Sequence, residues 1–289
     1  MKLNLLNFIH NPSDHLDFPK YNGFEYHSVK KDDALFDDRF DPACTAAIVH
    51  HPYWAVHVNK FNPYAVISCI SESLHKQEDA FINFYMAALF SNSTVILAEN
   101  EETYLDLCLL YPNVLCINEN QSSSSDSLFS EKENVVLQIM KCLAEDNPTE
   151  TLKTLHGKRL RKRLEEIKDY VEWDPNHQER LLILAKYLYL NGDYSEAEYY
   201  FYQSFSRSTA FGKPESLSAH YPWITLVQAR QGKIKHALNS FGILALSADQ
   251  NQCYHQLLNR FDTDDQDLIK AEISIELGDR KPPIIRQTL

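Results

Sequence analysis

Four short apolar runs in the first half of the chain each end in side chains that could take part in chemistry. These side chains are His50, His51, Tyr53 and Trp54 after the first run, Ser71 and Glu72 after the second, Glu99 and Asn100 after the third, and Asn118 and Glu119 after the fourth. A histidine beside a carboxylate can act as a general base. The candidate catalytic residues are therefore His50, His51, Glu72 and Glu99. The candidate ligand-binding residues are Tyr53 and Trp54, which could stack on a sugar ring, together with Asn100 and Asn118.

The same pattern has a simpler interpretation, because loops collect polar residues whether or not they bind anything. The acidic segment from Asp32 to Asp41 lacks the glycine turn and closing glutamate of a calcium loop, so we interpret it as a solvated loop. The six cysteines contain no Cys-x-x-Cys pair, and the seven glycines of the chain form no glycine-rich phosphate loop. We therefore expect no metal and no cofactor.

The elements that would position these side chains follow from the alternation of patterns. The apolar runs cover residues 45–50, 64–70, 93–98 and 114–118, and patterns of helical period lie between or after them at 78–91, 100–111 and 131–143. Strands that alternate with helices predict a Rossmann-like α/β domain with a parallel sheet covered on both faces. Ligands bind outside the carboxyl ends of the strands in such sheets, which is where the candidate residues lie.

The second half of the chain contains a repeated segment. Gly192-Asp193-Tyr194 and Gly232-Lys233-Ile234 are 40 residues apart, and Gly278-Asp279 is a fainter third copy. Apolar stripes of helical spacing flank Gly192, which predicts a helical hairpin that turns at this glycine. About three hairpins would run from residue 150 to the end, and about three is the minimum number that stacks stably. The alternative is a helical domain whose self-similarity is accidental.

The first hairpin resembles the tetratricopeptide repeat at Ala185, Gly192-Asp193-Tyr194, Ala197 and Phe201. The second unit departs from that pattern because Ile234 replaces the tyrosine. The resemblance implies an all-α domain that binds a partner protein or peptide on the face lined by the first helices. The outward positions expected on this face are Tyr187, Tyr189, Tyr221, Gln228 and Arg230. Packing between repeats is the alternative for Tyr187 and Tyr221.

Residues 45–120 resemble the amino-terminal lobe of GT-B glycosyltransferases, through the run from Ala88 to Leu105 and the segment from Pro112-Asn113-Val114 to Asn118. This resemblance implies a glycan or a nucleotide sugar as the ligand. That family continues with glycine and an acidic residue where this chain has Glu119-Asn120 and serines. The chain also has no room for the second lobe, which binds the nucleotide sugar in that family. We therefore interpret the first half as a degenerate lobe.

Charge is distributed unevenly along the 289 residues. Residues 1–150 carry 9 Lys and Arg against 22 Asp and Glu, whereas residues 151–289 carry 19 against 18. The acidic half is a poor surface for nucleic acid, so no nucleic-acid partner is expected. The basic run from Lys158 to Arg163 is either the wet face of a helix or a patch for a polyanion or a partner. No apolar run is long enough to span a membrane, and the chain has no secretion signal, so we expect a cytoplasmic protein.

These observations divide the chain into three parts: a Rossmann-like domain at 1–125, a linker with a helix at 126–149, and helical repeats at 150–289. Our first hypothesis is a non-catalytic interaction protein, in which the repeats dock a partner and the sheet domain is a scaffold. The alternative is a glycosyltransferase, or an accessory subunit of one, that acts in cell-envelope or surface glycan assembly.

Overall fold

The computed structural model describes residues 3–11, 14, 16, 24–30, 39–71, 80–117, 131–210, 216–233, 235–237 and 239–240. The chain divides into two compact units, Met1–Lys158 and Arg159–Leu289. The first unit contains a β-sheet with helices, and the described part of the second unit is helical. The predicted succession of an α/β part and a helical part is therefore confirmed.

The sheet of the first unit has six parallel strands. They are β1 (Leu3–Phe8), β2 (Phe24–Val29), β3 (Thr45–Val49), β4 (Ala65–Ile70), β5 (Val95–Ala98) and β6 (Val114–Cys116). Their order in the sheet is β2-β1-β3-β4-β5-β6. The sequence patterns predicted the last four strands but not β1 and β2, which place two more strands at one side of the sheet.

Helices cover the sheet because the residues of β3 to β6 are almost all apolar and both faces must be buried. They are α1 (Ala55–Phe61), α2 (Ala80–Ser91), α3 (Glu101–Leu110), α4 (Glu131–Leu143) and the first part of α5 (Pro148–Trp173). On one face, strand residues such as Ile48 and Ile67 pack with Ile139 of α4. On the other face, alternate residues such as Val49 pack with Val58 of α1. The two clusters follow from the period of two along a strand.

In the second unit, the rest of α5 is followed by α6 (Gln178–Asn191), α7 (Tyr194–Ala210) and α8 (Ser216–Arg230). Gly192 ends α6 with a φ of 93°, a left-handed conformation that glycine adopts without a Cβ clash. The N–H of Gly192 and the N–H of Asp193 donate to the carbonyls of Tyr189 and Leu188, at 3.0 and 2.9 Å. The chain then reverses, and Ala197 and Phe201 of α7 are fully buried. The predicted hairpin turn at Gly192 is therefore present.

The second turn repeats this geometry at Gly232, whose φ is 71°. The N–H of Gly232 and the N–H of Lys233 donate to the carbonyls of Ala229 and Gln228, both at 2.9 Å. The third copy at Gly278-Asp279 lies outside the described residues. Two equivalent turns support the helical-hairpin interpretation, while membership of the tetratricopeptide family stays a prediction.

Candidate functional site

The strand order creates a topological switch point between β1 and β3. The chain leaves β1 toward β2 on one side and later returns to place β3 on the other side. Connections that diverge in this way open a crevice at the carboxyl ends of the two strands, which is the usual ligand position in parallel sheets. The residues that follow β1 and β3 are therefore the first place to look for a site.

His50 lies directly after β3 and is almost completely buried, with 6% of its surface exposed. Its Nε2 is 2.8 Å from Oδ1 of Asn7, which is a residue of β1. The Asn7 amide nitrogen donates to the carbonyl of Asp14 and to the hydroxyl of Tyr26, both at 2.9 Å. Since the amide donates through Nδ2, its Oδ1 accepts, and Nε2 of His50 must carry the proton.

Lys132 approaches the other nitrogen of the same imidazole. Its Nζ, from the first turn of α4, lies 3.1 Å from Nδ1 of His50 and 3.9 Å from Oε1 of Glu99. The ammonium group therefore donates to the lone pair of Nδ1. A chain of polar contacts thus runs from Glu99 through Lys132, His50 and Asn7 to Tyr26, across the carboxyl edge of the sheet.

The environment of His50 determines its charge. Burial lowers the pKa of His50 to about 3, with a further contribution from the positive charge of Lys132 and a smaller opposing effect of Asp14. The imidazole is neutral at neutral pH, and both of its nitrogens are engaged. A general base needs a free lone pair within reach of a substrate proton. His50 therefore fits a structural position in this arrangement better than the predicted catalytic one.

His51 has a different environment from its neighbour. Its Nδ1 accepts a hydrogen bond from the backbone N–H of Tyr53 at 3.1 Å and so caps the short helical turn Pro52–Trp54. The ring stacks on His10, with centroids 3.8 Å apart and planes 4° from parallel. Tyr53 lies 5.8 Å from the His10 ring and is 49% exposed. Tyr53 is thus placed where it could stack on a ligand ring.

Unlike Tyr53, Trp54 is not exposed. Its prediction as a ligand-binding residue is therefore corrected. Only 2% of its surface is exposed, and its ring packs 5.2 Å from Phe8 of β1. The indole belongs to the core cluster on the α1 face of the sheet. Its Nε1 is buried without a hydrogen-bond partner. The apolar area of Trp54, rather than ligand stacking, explains its place in the fold.

The backbone after β1 offers two N–H groups at this edge. Both are occupied, because Oδ2 of Asp14 accepts from the N–H of His10 at 2.9 Å and from the N–H of Asn11 at 2.7 Å. Consecutive N–H groups of this kind bind phosphate in many α/β proteins. Here the carboxylate of the chain itself takes the place that an anionic ligand group would take.

The remaining predicted residues of the sheet edge are dispersed. Asn100 is the N-cap of α3, since its Oδ1 accepts from the N–H of Thr103 at 2.9 Å. Glu99 meets His50 only through Lys132, as described above. Glu72 and Asn118 lie outside the described residues. The structure therefore brings together His50 and Glu99 indirectly, and His51 and Tyr53 directly.

Sequence reasoning missed four residues of this edge: Asn7, His10, Asp14 and Lys132. Asn7 lies in β1, and His10 and Asp14 come soon after it. This strand was not predicted, although Leu3-Asn-Leu-Leu-Asn-Phe8 is an apolar run with two asparagines. Lys132 comes 82 residues after His50 in the chain, and no local signal connects the two.

Three of the residues predicted to form the partner surface of the helical unit are buried. Tyr187, Tyr189 and Gln228 are buried, with 2%, 5% and 2% of their surfaces exposed. Gln228 donates to the Tyr202 hydroxyl at 2.9 Å and accepts from the Ser240 hydroxyl at 2.9 Å. These three residues do not project outward, because α6 and α8 are covered on more than one side.

The other two residues predicted for this surface, Tyr221 and Arg230, differ in their exposure. Tyr221 is half-buried and packs edge-on against Phe205 at 5.3 Å, as its alternative interpretation stated. Arg230 is exposed at the end of α8.

Exposed aromatic rings lie instead on α5 and α7. They are Tyr170 and Trp173 of α5, exposed by 54% and 81%, and Tyr199 and Tyr202 of α7, exposed by 58% and 42%. An open groove of about 470 Å³ lies between these two helices and is bounded also by α6. The second unit therefore presents four exposed rings, one of which lines a groove, and the sequence pattern did not predict them.

In the described part of the chain, no three side chains of histidine, cysteine, aspartate or glutamate converge as metal ligands would. None of its helices combines the length and apolarity that a membrane crossing needs. Comparison with known proteins finds no match among protein-family models, curated proteins or solved structures.

Proposed function

We propose that this chain is an interaction protein whose helical unit binds another polypeptide and whose sheet unit is a non-catalytic scaffold. The observation that carries the proposal is the group of four exposed rings on α5 and α7, of which Tyr199 lines an open groove. Tyrosine and tryptophan dominate the energetics of protein interfaces because they bury a large area and keep a polar tip. An exposed ring is costly in water, so several on the helices of one unit favour a surface that becomes covered.

The sheet unit supports the non-catalytic part of the proposal. Both nitrogens of His50 are engaged, by Asn7 and by Lys132, at the position where a base would act. The N–H groups of His10 and Asn11 are occupied by Asp14, at the position where a phosphate would bind. A domain that resembles a sugar-transferase lobe but satisfies its own polar groups in this way fits a degenerate, structural role.

The test is capture of partners from an extract of the source cell on the immobilised full chain. The test variant carries Trp173→Ala and Tyr199→Ala, and the matched control carries Tyr64→Ala and Phe84→Ala, which remove two exposed rings of the first unit. We expect the same polypeptide partner on wild type and control, with at least about tenfold less on the test variant. Equal capture by all three proteins would contradict the proposed surface.

One observation favours a second function, that of a glycosyltransferase or an accessory subunit in cell-envelope or surface glycan assembly. Tyr53 is half exposed beside the stacked His10 and His51 at the switch point, where a sugar could lie on its ring. Saturation-transfer NMR with a panel of nucleotide sugars and glycan fragments tests this function. A signal that disappears in Tyr53→Ala would support it, and silence across the panel would retire it.

A further inference from the structure

The first unit contains a cavity that lies away from the candidate site. It opens at the amino-terminal side of β5 and β6, at the opposite edge of the sheet from His50, and has a volume of about 290 Å³. Val95 of β5 and Leu115 of β6 line it and are almost fully buried in the core cluster on the α4 face of the sheet. Leu152 of α5 also lines it and packs against the same cluster. The cavity therefore has an apolar bottom that belongs to the core of the fold.

The other wall of the cavity is one side of the first turns of α5. Four residues of this helix line the cavity with the spacing i, i+3, i+4 and i+7, which places them on one side of the helix: Thr149, Leu152, Lys153 and His156. All four belong to the first compact unit. A helix side that only closes a core carries apolar residues, and here Leu152 is the one apolar member. The three polar side chains give the mouth of the cavity a capacity for hydrogen bonds that core packing does not need.

The permanent charge in the described lining of the cavity is positive. Lys153 carries it, and no aspartate or glutamate is among the described residues that line the cavity. The Nζ of Lys153 lies 3.9 Å from Oε2 of Glu150, and these side chains are 71% and 68% exposed. Because an ion pair between two exposed side chains is weak, the ammonium group can turn to an acceptor in the mouth. Residues 1–150 are strongly acidic as a whole, so this lining differs in charge from the rest of the unit.

We propose that this cavity binds a small monocarboxylate, whose apolar chain or ring lies on Val95, Leu115 and Leu152 and whose carboxylate meets Lys153 at the mouth. An apolar lining with a few polar groups is the usual form of a small-molecule site, and about 290 Å³ lies at the small end of the range for such sites. A carboxylate is the acceptor that an ammonium group binds most strongly. The proposal adds a ligand to the sheet unit and does not depend on the partner surface of the helical unit.

Isothermal titration calorimetry of the full chain with three probes of equal chain length tests the proposal. The probes are octanoate, 1-octanol and octylammonium, which share the apolar chain and differ in the charge of the head group. We expect one-to-one, saturable binding of octanoate, with at least about fivefold weaker binding of the other two probes. Shortening the acid toward butanoate should weaken binding about three- to fourfold for each CH₂ group removed, because each buried CH₂ contributes about 0.8 kcal/mol.

Two variants connect the binding to this cavity. Leu152→Trp fills the apolar bottom and should abolish octanoate binding. Lys153→Glu changes an exposed side chain, so it should leave the fold intact, weaken octanoate binding at least about fivefold and reverse the order of octanoate and octylammonium.

Lys158→Glu is the matched control for Lys153→Glu. It makes the same change of charge at an exposed position of the same helix, about 140° around the helix axis. This control should bind octanoate like the wild type. The melting temperature of each variant without ligand shows that it is folded.

A wild type without saturable octanoate binding would overturn the proposal, and so would equal affinity for the three probes. Octanoate binding that Lys153→Glu weakens no more than Lys158→Glu would also overturn it. None of these results changes the capture of a polypeptide by the helical unit, so the proposed function is tested separately.

Discussion

Directly after β3, two adjacent histidines have different environments. His50 is buried between Asn7 and Lys132, and His51 caps a helical turn and stacks on His10. A residue type suited to acid–base chemistry is thus used for structure at the first position, where burial favours the neutral form. The consequence is a stability that depends on pH.

The pH dependence of unfolding reports on His50. Its pKa is about 3 in the folded chain against an ordinary value of 6.5, so between these values the unfolded chain binds a proton that the folded chain does not. The contribution is complete above pH 6.5 and is lost as pH falls through this window, with a slope approaching about 1.4 kcal/mol per pH unit. We expect the wild type to lose about 2 kcal/mol more than His50→Gln between neutral pH and about pH 5.

Urea unfolding at the two pH values measures this difference. His57→Gln is the matched control, because it replaces an exposed histidine of the same unit. The control should follow the pH dependence of the wild type. Identical pH dependence in wild type and His50→Gln would mean that the imidazole is not held neutral in the fold.

Tyr189 and Arg230 allow a buried position and an exposed position of the helical unit to be compared. The Tyr189 ring packs 5.5 Å from Trp223 and 5.6 Å from Tyr194, with 5% of the residue exposed. Tyr189→Ala should therefore cost about 3 kcal/mol of unfolding free energy, as expected for a buried aromatic side chain. Arg230→Ala, at an exposed position, should change it by no more than about 0.5 kcal/mol. Thermal unfolding checks both values, and an unchanged melting temperature for Tyr189→Ala would contradict the packing described.

At the scale of the elements, the hairpin of α6 and α7 depends on the turn at Gly192 and on the close approach of the two helices at Ala197. Gly192 takes the left-handed turn, and Ala197 is fully buried one turn into α7. A methyl group at this position lets the two helices approach closely. A longer side chain there must displace its neighbours, because protein interiors are close-packed.

Ala197→Leu tests this contact between elements. The added carbons should overpack the hairpin and lower the unfolding free energy by about 1–3 kcal/mol. Ser195→Leu, two residues earlier on the exposed side of the same helix, adds a similar volume and should be close to neutral. Denaturant midpoints compare the two variants. Equal midpoints would mean that α6 and α7 do not pair through Ala197.

For the whole molecule, the main facts are the two compact units and the uneven charge. The units divide between Lys158 and Arg159, inside the long helix α5. Residues 1–150 carry a large acidic excess, whereas residues 151–289 are nearly neutral. An acidic surface repels nucleic acid, and a balanced surface with exposed rings suits contact with protein. The expectation of a polypeptide partner and of no nucleic-acid partner follows from this division and stays a prediction.

Much of the fold was determined by local sequence patterns. The helix at Glu131–Leu143 is observed with the predicted bounds, and α3 at Glu101–Leu110 lies within the helical pattern predicted at 100–111. The four apolar runs correspond to β3 to β6, and their predicted bounds agree with the observed bounds within two residues at each end. Periodicity and capping act within a few residues, so the sequence carries them directly. The first two strands escaped prediction because β1 has no clean alternation and β2 mixes polar and aromatic residues.

The tertiary structure alone decided which side chains meet. Lys132 reaches His50 from 82 residues away, and this contact turns a candidate base into a buried neutral imidazole. Tyr189 is buried because Trp223 of α8 packs against its ring, a contact that the helical period of α6 cannot specify. A periodic pattern defines one apolar face of an element, but the coverage of its other faces depends on distant parts of the chain. The sequence by itself determined most of the elements and the first turn of the repeat, and the packing of the elements determined which residues remained exposed.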